Sequence, residues 1–150
     1  MFNLPLNYKS PHDSVPTKNW IIGFIEAEGS FFLVKKDGEL SHRIVHCFGV
    51  TQKEDLHLLE QLRNLWGIVA KIKLGKNGAY LLETTNNRVI KHLVVYFSSC
   101  FIGMKSVEFR IWERSYKKHK NDYVKLTHIQ KIIRDLKSNL KKSLIHTHWK

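Results

Sequence analysis

Trp20-Ile21-Ile22-Gly23-Phe24-Ile25-Glu26-Ala27-Glu28-Gly29-Ser30-Phe31 is the stretch on which the fold turns. Trp20, Ile21, Phe24 and Ile25 recur at helical spacing, and Gly23 and Ala27 repeat four apart on one face. Thr17 stands where an N-cap belongs and Gly29 where the helix should stop, so a helix is predicted over 17–28. Small residues at that spacing let a second helix backbone come close. Trp20, Gly23, Phe24 and Ala27 are therefore a candidate seam between two helices. Glu26 and Glu28 sit at the helix end where the macrodipole disfavours negative charge, and a nearby cation would reverse that penalty. A hard divalent ion such as Mg²⁺ takes carboxylate and carbonyl oxygens. The helix end leaves carbonyls such as that of Ala27 without a helical partner. Read from physics alone, two ordinary surface acids are the simpler account of the same residues.

Downstream the pattern turns β-like, with Phe31, Phe32, Leu33 and Val34 ahead of a turn at Lys36-Asp37-Gly38-Glu39. A second strand is predicted over 42–51 and a helix over 53–66, with Leu56, Leu59, Leu62 and Leu65 on one stripe. Residues 68–74 alternate cleanly, Ile68, Ala70, Ile72 and Leu74 against Val69, Lys71 and Lys73, which predicts a third strand. Gly75-Lys76-Asn77-Gly78 is a hairpin turn and 79–84 returns as a strand. Helices follow over 87–98, 105–116 and 123–136. The expected fold is α+β, an αββαββα half-saddle in which one antiparallel sheet carries helices on one face, with extra C-terminal helices. Residues 1–16, which hold all three prolines, read as an extended arm, 17–138 as the domain and 139–150 as a loose basic tail.

Lys and Arg total 25 against 13 Asp and Glu, a formal net charge of +12 over 150 residues. That excess repels itself and favours an anionic partner, with nucleic acid ahead of a membrane surface. No apolar run reaches the roughly 18 residues of a membrane span, and Cys47 and Cys100 are too few and too far apart for a disulfide framework. A sheet with one apolar and one partly basic face suits DNA, although a merely solvated face explains the lysines equally well. Period-two reasoning places Ser30, Phe32, Val34 and Lys36 of the first strand on that outer face. Arg43 of the second strand, and Lys71, Lys73, Lys76 and Asn77 around the second hairpin, complete the candidate DNA contacts. Val45, Cys47 and Gly49 share the face with Arg43 but offer few polar groups for reading bases.

The run Ile21-Ile22-Gly23-Phe24-Ile25-Glu26-Ala27-Glu28-Gly29 resembles the signature of the LAGLIDADG homing endonucleases, with Glu in place of both Asp. Ser30-Phe31-Phe32 and the order of elements over 20–136 resemble one half of that fold. The resemblance implies a site-specific, metal-dependent double-stranded DNA endonuclease of intron homing. It implies that Glu28 and the Ala27 carbonyl hold Mg²⁺ (or Mn²⁺), while Glu26 is more structural. Val50-Thr51-Gln52-Lys53 resembles the segment whose Gln positions solvent, which falls on Gln52. Phe101-Ile102-Gly103-Met104-Lys105-Ser106 resembles the segment bearing an active-site lysine, which falls on Lys105. The catalytic set implied is Glu28, Gln52 and Lys105. Glu for Asp at the metal position adds one methylene of reach.

One such motif is present, and cutting both strands needs two active sites, so the chain is expected to pair with itself on a pseudo-palindromic site. The alternatives are an intron RNA maturase, whose partner is structured RNA, and a non-cleaving half of a split two-motif protein. The family's genes commonly lie in organellar introns, which implies the mitochondrial matrix or the chloroplast. No membrane partner is expected.

Overall fold

Residues 14–147 are described by a computed structural model. Helix α1 (Lys18–Glu28) starts as expected, the Thr17 hydroxyl accepting from the Trp20 amide. It passes directly into β1 (Gly29–Gly38), which pairs antiparallel with β2 (Ser41–Gln52) along its whole length, Gly29 opposite Val50 and Gly38 opposite Ser41. The turn falls at Glu39 and Leu40, at the far end of the Lys36–Glu39 signal, because the strands stay paired to Gly38. Helix α2 (Leu56–Leu65) begins at an Asp55 cap rather than at Lys53, since the Asp55 carboxylate accepts from the Leu58 amide. β3 (Lys73–Leu74), β4 (Tyr80–Thr84) and α3 (Asn87–Phe97) complete the αββαββα order, and the sheet runs β1-β2-β4-β3.

The third strand is a correction. Residues 68–74 alternate as a strand should, yet only Lys73 and Leu74 pair. The Arg63 guanidinium takes the carbonyls of Val69 and Ala70 at 3.1 and 2.9 Å. Those acceptors are then lost to a ladder. Val69, Ala70 and Lys71 are left exposed, and the apolar face expected for Ala70 and Leu74 does not form.

One face of the sheet is packed. Phe31, Leu33, Ile44, Phe48, Val50 and Leu82 are buried there beneath α1, α2 and α3. Phe31 is the hub, its ring 5.0–5.7 Å from those of Phe48, Phe97, Phe101, Phe109 and Trp112. Aromatic contacts of this kind add to plain area burial. The opposite, open face presents Ser30, Phe32 and Val34 of β1, in register with Gly49, Cys47 and Val45 of β2. The face assignment made for β1 and β2 agrees with this register.

Two further helices seal the free edge of β1. α4 (Lys105–His119) gives the Glu108 carboxylate to the Phe31 amide at 2.8 Å, and the Trp112 indole N–H donates to the Phe32 carbonyl at 3.1 Å. α5 (Tyr123–Thr147) lies along the same edge, Gln130 donating to the Leu33 carbonyl at 2.8 Å. α5 continues to Thr147, so 139–147, expected as a loose tail, is helical. Residues 1–13 of the expected arm and 148–150 of the tail lie outside the described residues. Among the described residues no helix is long and apolar enough to cross a membrane.

Candidate nucleic-acid interface and metal site

A cleft of about 400 Å³ lies between the open sheet face and α5. Glu28, Ser30, Phe32, Thr51 and Glu83 line its sheet side, and Gln130, Arg134 and Lys137 line its α5 side. Glu28 is exposed, at the last position of α1. Among the described residues no hydrogen bond or ion pair engages its carboxylate.

The backbone beside it is arranged by α4. In a continuing helix the Phe31 amide would bond the Ala27 carbonyl. Here it is turned to Glu108 Oε1 instead, leaving the Ala27 carbonyl without its helical partner. A free carboxylate next to a freed carbonyl at a helix C-terminus is a donor set that suits a hard cation. Among the described residues no group of three or more His, Cys, Asp or Glu side chains is placed to hold a metal. A cation here would therefore draw its remaining oxygens from outside this set of side chains.

Glu108 is itself buried and ties two lysines together. Lys105 Nζ lies 3.3 Å from Oε2 and Lys137 Nζ 3.4 Å from Oε1. Lys105 Nζ also donates to the Gly29 carbonyl at 2.6 Å. Its amine thus touches the residue after Glu28 but does not line the cleft. Lys137 Nζ donates to Ser30 Oγ at 2.6 Å and to the Phe31 carbonyl at 3.2 Å, and sits 5.4 Å from the Phe32 ring centre. Burial draws the Lys137 ammonium below the usual lysine range, with Glu108 opposing that shift.

The other expected site residues are more dispersed. Gln52 ends β2 with its side-chain oxygen accepting from the Lys53 amide at 2.8 Å, and Thr51 rather than Gln52 lines the cleft. Val34 borders a neighbouring depression with Cys47, Lys73 and Glu83. Cys47 is a thiol there, pushed up to about 12 by burial first and the Glu83 charge second. Lys36 and Arg43 face each other across β1 and β2, and Lys36 donates to the Thr85 hydroxyl at 2.9 Å. Lys71, Lys73 and Lys76 are exposed around the second hairpin, whereas Asn77 builds the turn by accepting from the Ala79 amide.

Among the described residues nothing covers the expected seam. Trp20 is half-exposed and stacks on Phe24 at 5.4 Å, Ala27 is exposed, and nothing lies within 4 Å of where a side chain at Gly23 would begin. Beside them Glu26 Oε1 accepts from the Ile102 and Gly103 amides at 2.8 and 3.1 Å. A Cβ at residue 103 would come within 2.8 Å of Glu26 Oε2, so glycine there permits the approach. The resemblance implied that Glu26 is tied to the helix pair; here its carboxylate is engaged by the segment before α4.

Glu108, Arg134 and Lys137 were not anticipated from the sequence. The one available signal was Glu108, an acid whose i−3 neighbour is Lys105.

Comparison with known proteins bears on the family and the fold. Residues 21–116 match a family model described as LAGLIDADG endonuclease. The chain is 40% identical over 136 residues to the probable intron-encoded endonuclease Cox1-I1b of Schizosaccharomyces pombe, spanning 87% of this chain and 34% of that one. It is 31% identical over 91 residues to the probable intron-encoded endonuclease aI3 of Dictyostelium citrinum, spanning 60% and 35%. The chain thus spans about a third of the length of these curated relatives. Among solved structures, the homing endonuclease I-TnaI superposes with a TM-score of 0.67 at 20% identity, over 86% of this chain and 99% of that one. I-SmaMI bound to cleaved DNA superposes with a TM-score of 0.60 at 24% identity, over 68% and 36%. At these identities the superpositions establish the fold.

Proposed function

The chain belongs to the LAGLIDADG endonuclease family, and we propose that it makes site-specific, metal-dependent cuts in double-stranded DNA as a pair of such units. The observation that carries this reading is the free Glu28 carboxylate beside the freed Ala27 carbonyl, at the mouth of a cleft in the open sheet face. Relatives named intron-encoded endonucleases support a homing role. An organellar interior, mitochondrial matrix or chloroplast, is the location that role implies.

Each residue has a task that follows from its place. Glu28 and the Ala27 carbonyl would hold Mg²⁺ or Mn²⁺, which supplies Lewis acidity and an acidified water for phosphodiester hydrolysis. The Trp20, Gly23, Phe24 and Ala27 face brings a second Glu28 alongside the first, one for each strand of the duplex. Lys105 holds the backbone at Gly29, next to Glu28, and sets the carboxylate's position. Gln52 stands at the end of β2, close in sequence to Thr51 of the cleft. Ser30, Phe32 and Val34 meet the duplex from the open face, and Lys36, Arg43, Lys71, Lys73 and Lys76 meet phosphates around it.

A second reading concerns the partner at the seam. The solved I-SmaMI chain with cleaved DNA is matched over only 36% of its length. The α1 face could therefore pair with another LAGLIDADG unit in place of an identical copy. Sedimentation of the purified chain separates the two, because a self-pair doubles the mass.

The decisive experiment is selection of cleaved sites from a randomised pseudo-palindromic duplex library with Mg²⁺, comparing the parent with Glu28→Gln. Cutting of a narrow set of sites by the parent, with binding but no cutting by the variant, is expected. Binding of nucleic acid without cutting by either protein would move the RNA maturase reading to first place.

A further inference from the structure

Two ammonium groups share one buried carboxylate at the edge of the Glu28 cleft. Glu108 is the only acid within ion-pair distance of Lys105 or Lys137 among the described residues, and its side chain is 4% exposed. One positive charge is thus left over, and burying an uncompensated charge is costly unless a counter-charge arrives. The lysines differ in where the excess can be relieved. The Lys105 side chain is 13% exposed and its amine is spent on Gly29 and Glu108. The Lys137 side chain is 28% exposed and lines the cleft together with Arg134 and Ser30.

We propose that α5 is a second wall of the nucleic-acid channel, on which Lys137 and Arg134, with the Ser30 hydroxyl, form a seat for one backbone phosphate of duplex DNA. The proposal rests on the reading that the open face takes duplex DNA, and adds to it a contact from a helix outside the sheet. Lys137 is held in place by the strand it serves. Ser30 Oγ and the Phe31 carbonyl accept from it and the Phe32 ring lies beneath it, so the long side chain has little rotamer freedom left to lose on binding. A phosphate oxygen arriving beside Ser30 replaces the hydroxyl as the ammonium's acceptor. The hydroxyl then rotates and donates to the same phosphate, which a serine can do and a carbonyl cannot. Arg134 is exposed one turn before Lys137, and no hydrogen bond or ion pair engages it among the described residues, so its planar fork is available to the phosphate. Lys105 has a different part. It fixes Glu108, and through Glu108 the height of Lys137.

The test is fluorescence anisotropy of a labelled random-sequence DNA duplex over a KCl series without divalent metal. The parent is compared with Arg134→Ala, Lys137→Met and, as a charge-matched control on the outside of α4, Lys117→Ala. Each phosphate contact contributes about 0.9 to the slope of log K against log[KCl]. Arg134→Ala and Lys137→Met are expected each to weaken binding and to lower the slope by about that amount, with Lys117→Ala parent-like. Parental slopes for both α5 variants, in a parent that binds duplex, would overturn this proposal and leave the open-face reading standing. A parent that binds no duplex at any salt would overturn both. If Lys137→Met does not fold, as circular dichroism would show, Arg134→Ala decides alone, because Arg134 is exposed and holds nothing in the fold.

Discussion

The two outer edges of the sheet are closed by different means. Along β1 the edge amides and carbonyls are met by side chains from α4 and α5, two of them buried and two part-buried: Glu108 on Phe31 and Gln130 on Leu33, Lys105 on Gly29 and Lys137 on Phe31. At the other side β3 pairs over two residues, and a single guanidinium from α2 takes the carbonyls just before it. An unprotected edge invites pairing with another chain, and both solutions prevent that. They differ in stiffness. The β1 edge depends on a buried carboxylate, Glu108, that cannot be removed without stranding the ammonium groups it holds, and this is the edge beside Glu28. The β3 edge is solvent-facing and basic, and can shift without breaking anything buried. On the proposed function, the chemistry falls on the stiff side and the adaptable contacts on the loose one.

The largest effect expected is at the centre of the stiff edge. Glu108→Gln leaves two part-buried ammonium groups without a carboxylate and should cost about 3 kcal/mol, read as a fall in the urea midpoint. A loss below 1 kcal/mol would show that the β1 edge is no stiffer than the β3 edge. Acidification probes the same side from beneath. Burial, aided by the Lys120 charge, lowers the His46 pKa from 6.5 to about 4. The buried neutral ring stands against Trp112 and Tyr116, its Nε2 2.8 Å from Ser115 Oγ. The unfolded chain takes up that proton first as pH falls. The stabilisation is therefore complete above pH 6.5 and is lost towards pH 4, up to about 3 kcal/mol in all. The difference in stability between the parent and His46→Gln across that window isolates it. Gly29→Ala comes next. A Cβ there would stand 2.4 Å from Ile25 Cγ2 and 2.8 Å from the Ile25 carbonyl, and relieving that overlap should cost about 1–3 kcal/mol. Arg63→Ala should be the mildest, about 1 kcal/mol for two solvent-facing hydrogen bonds. Hydrogen exchange should quicken over 68–74 and stay unchanged over 29–36. Quickening in β1 as well would mean that the two edges are coupled.

The same contrast marks what could be read in advance. α1, β1 and β2 were legible because their signals are short-range: a Thr17 cap, helical spacing to Ile25, alternation through Leu33, and a hairpin whose register sorts Ser30, Phe32 and Val34 to one face. The third strand was misread because the alternation of 68–74 says nothing about Arg63, five residues upstream, whose guanidinium claims the carbonyls. The basic segment 139–150 reads as a loose tail, yet the stripe Leu126, Ile129, Ile133 docks α5 on the core and the helix runs on past it to Thr147. The candidate site was half legible. Its Glu28 and Ala27 are suggested by the motif. Lys137 meets Ser30 across 107 residues of chain, and Glu108 meets Phe31 across 77, and no local pattern encodes either contact.

No loop separates Glu28 from Gly29: the last residue of α1 is followed at once by the first of β1. The joint has no slack. Any roll of α1 against a neighbouring helix must pass into β1 as twist, and β1 is the strand that carries Ser30, Phe32 and Val34. The identity of whatever packed against Gly23 and Ala27 would therefore be transmitted, as leverage, to the surface that would read a ligand. Changing the companion helix should retune the grip of the sheet with no residue of the sheet altered.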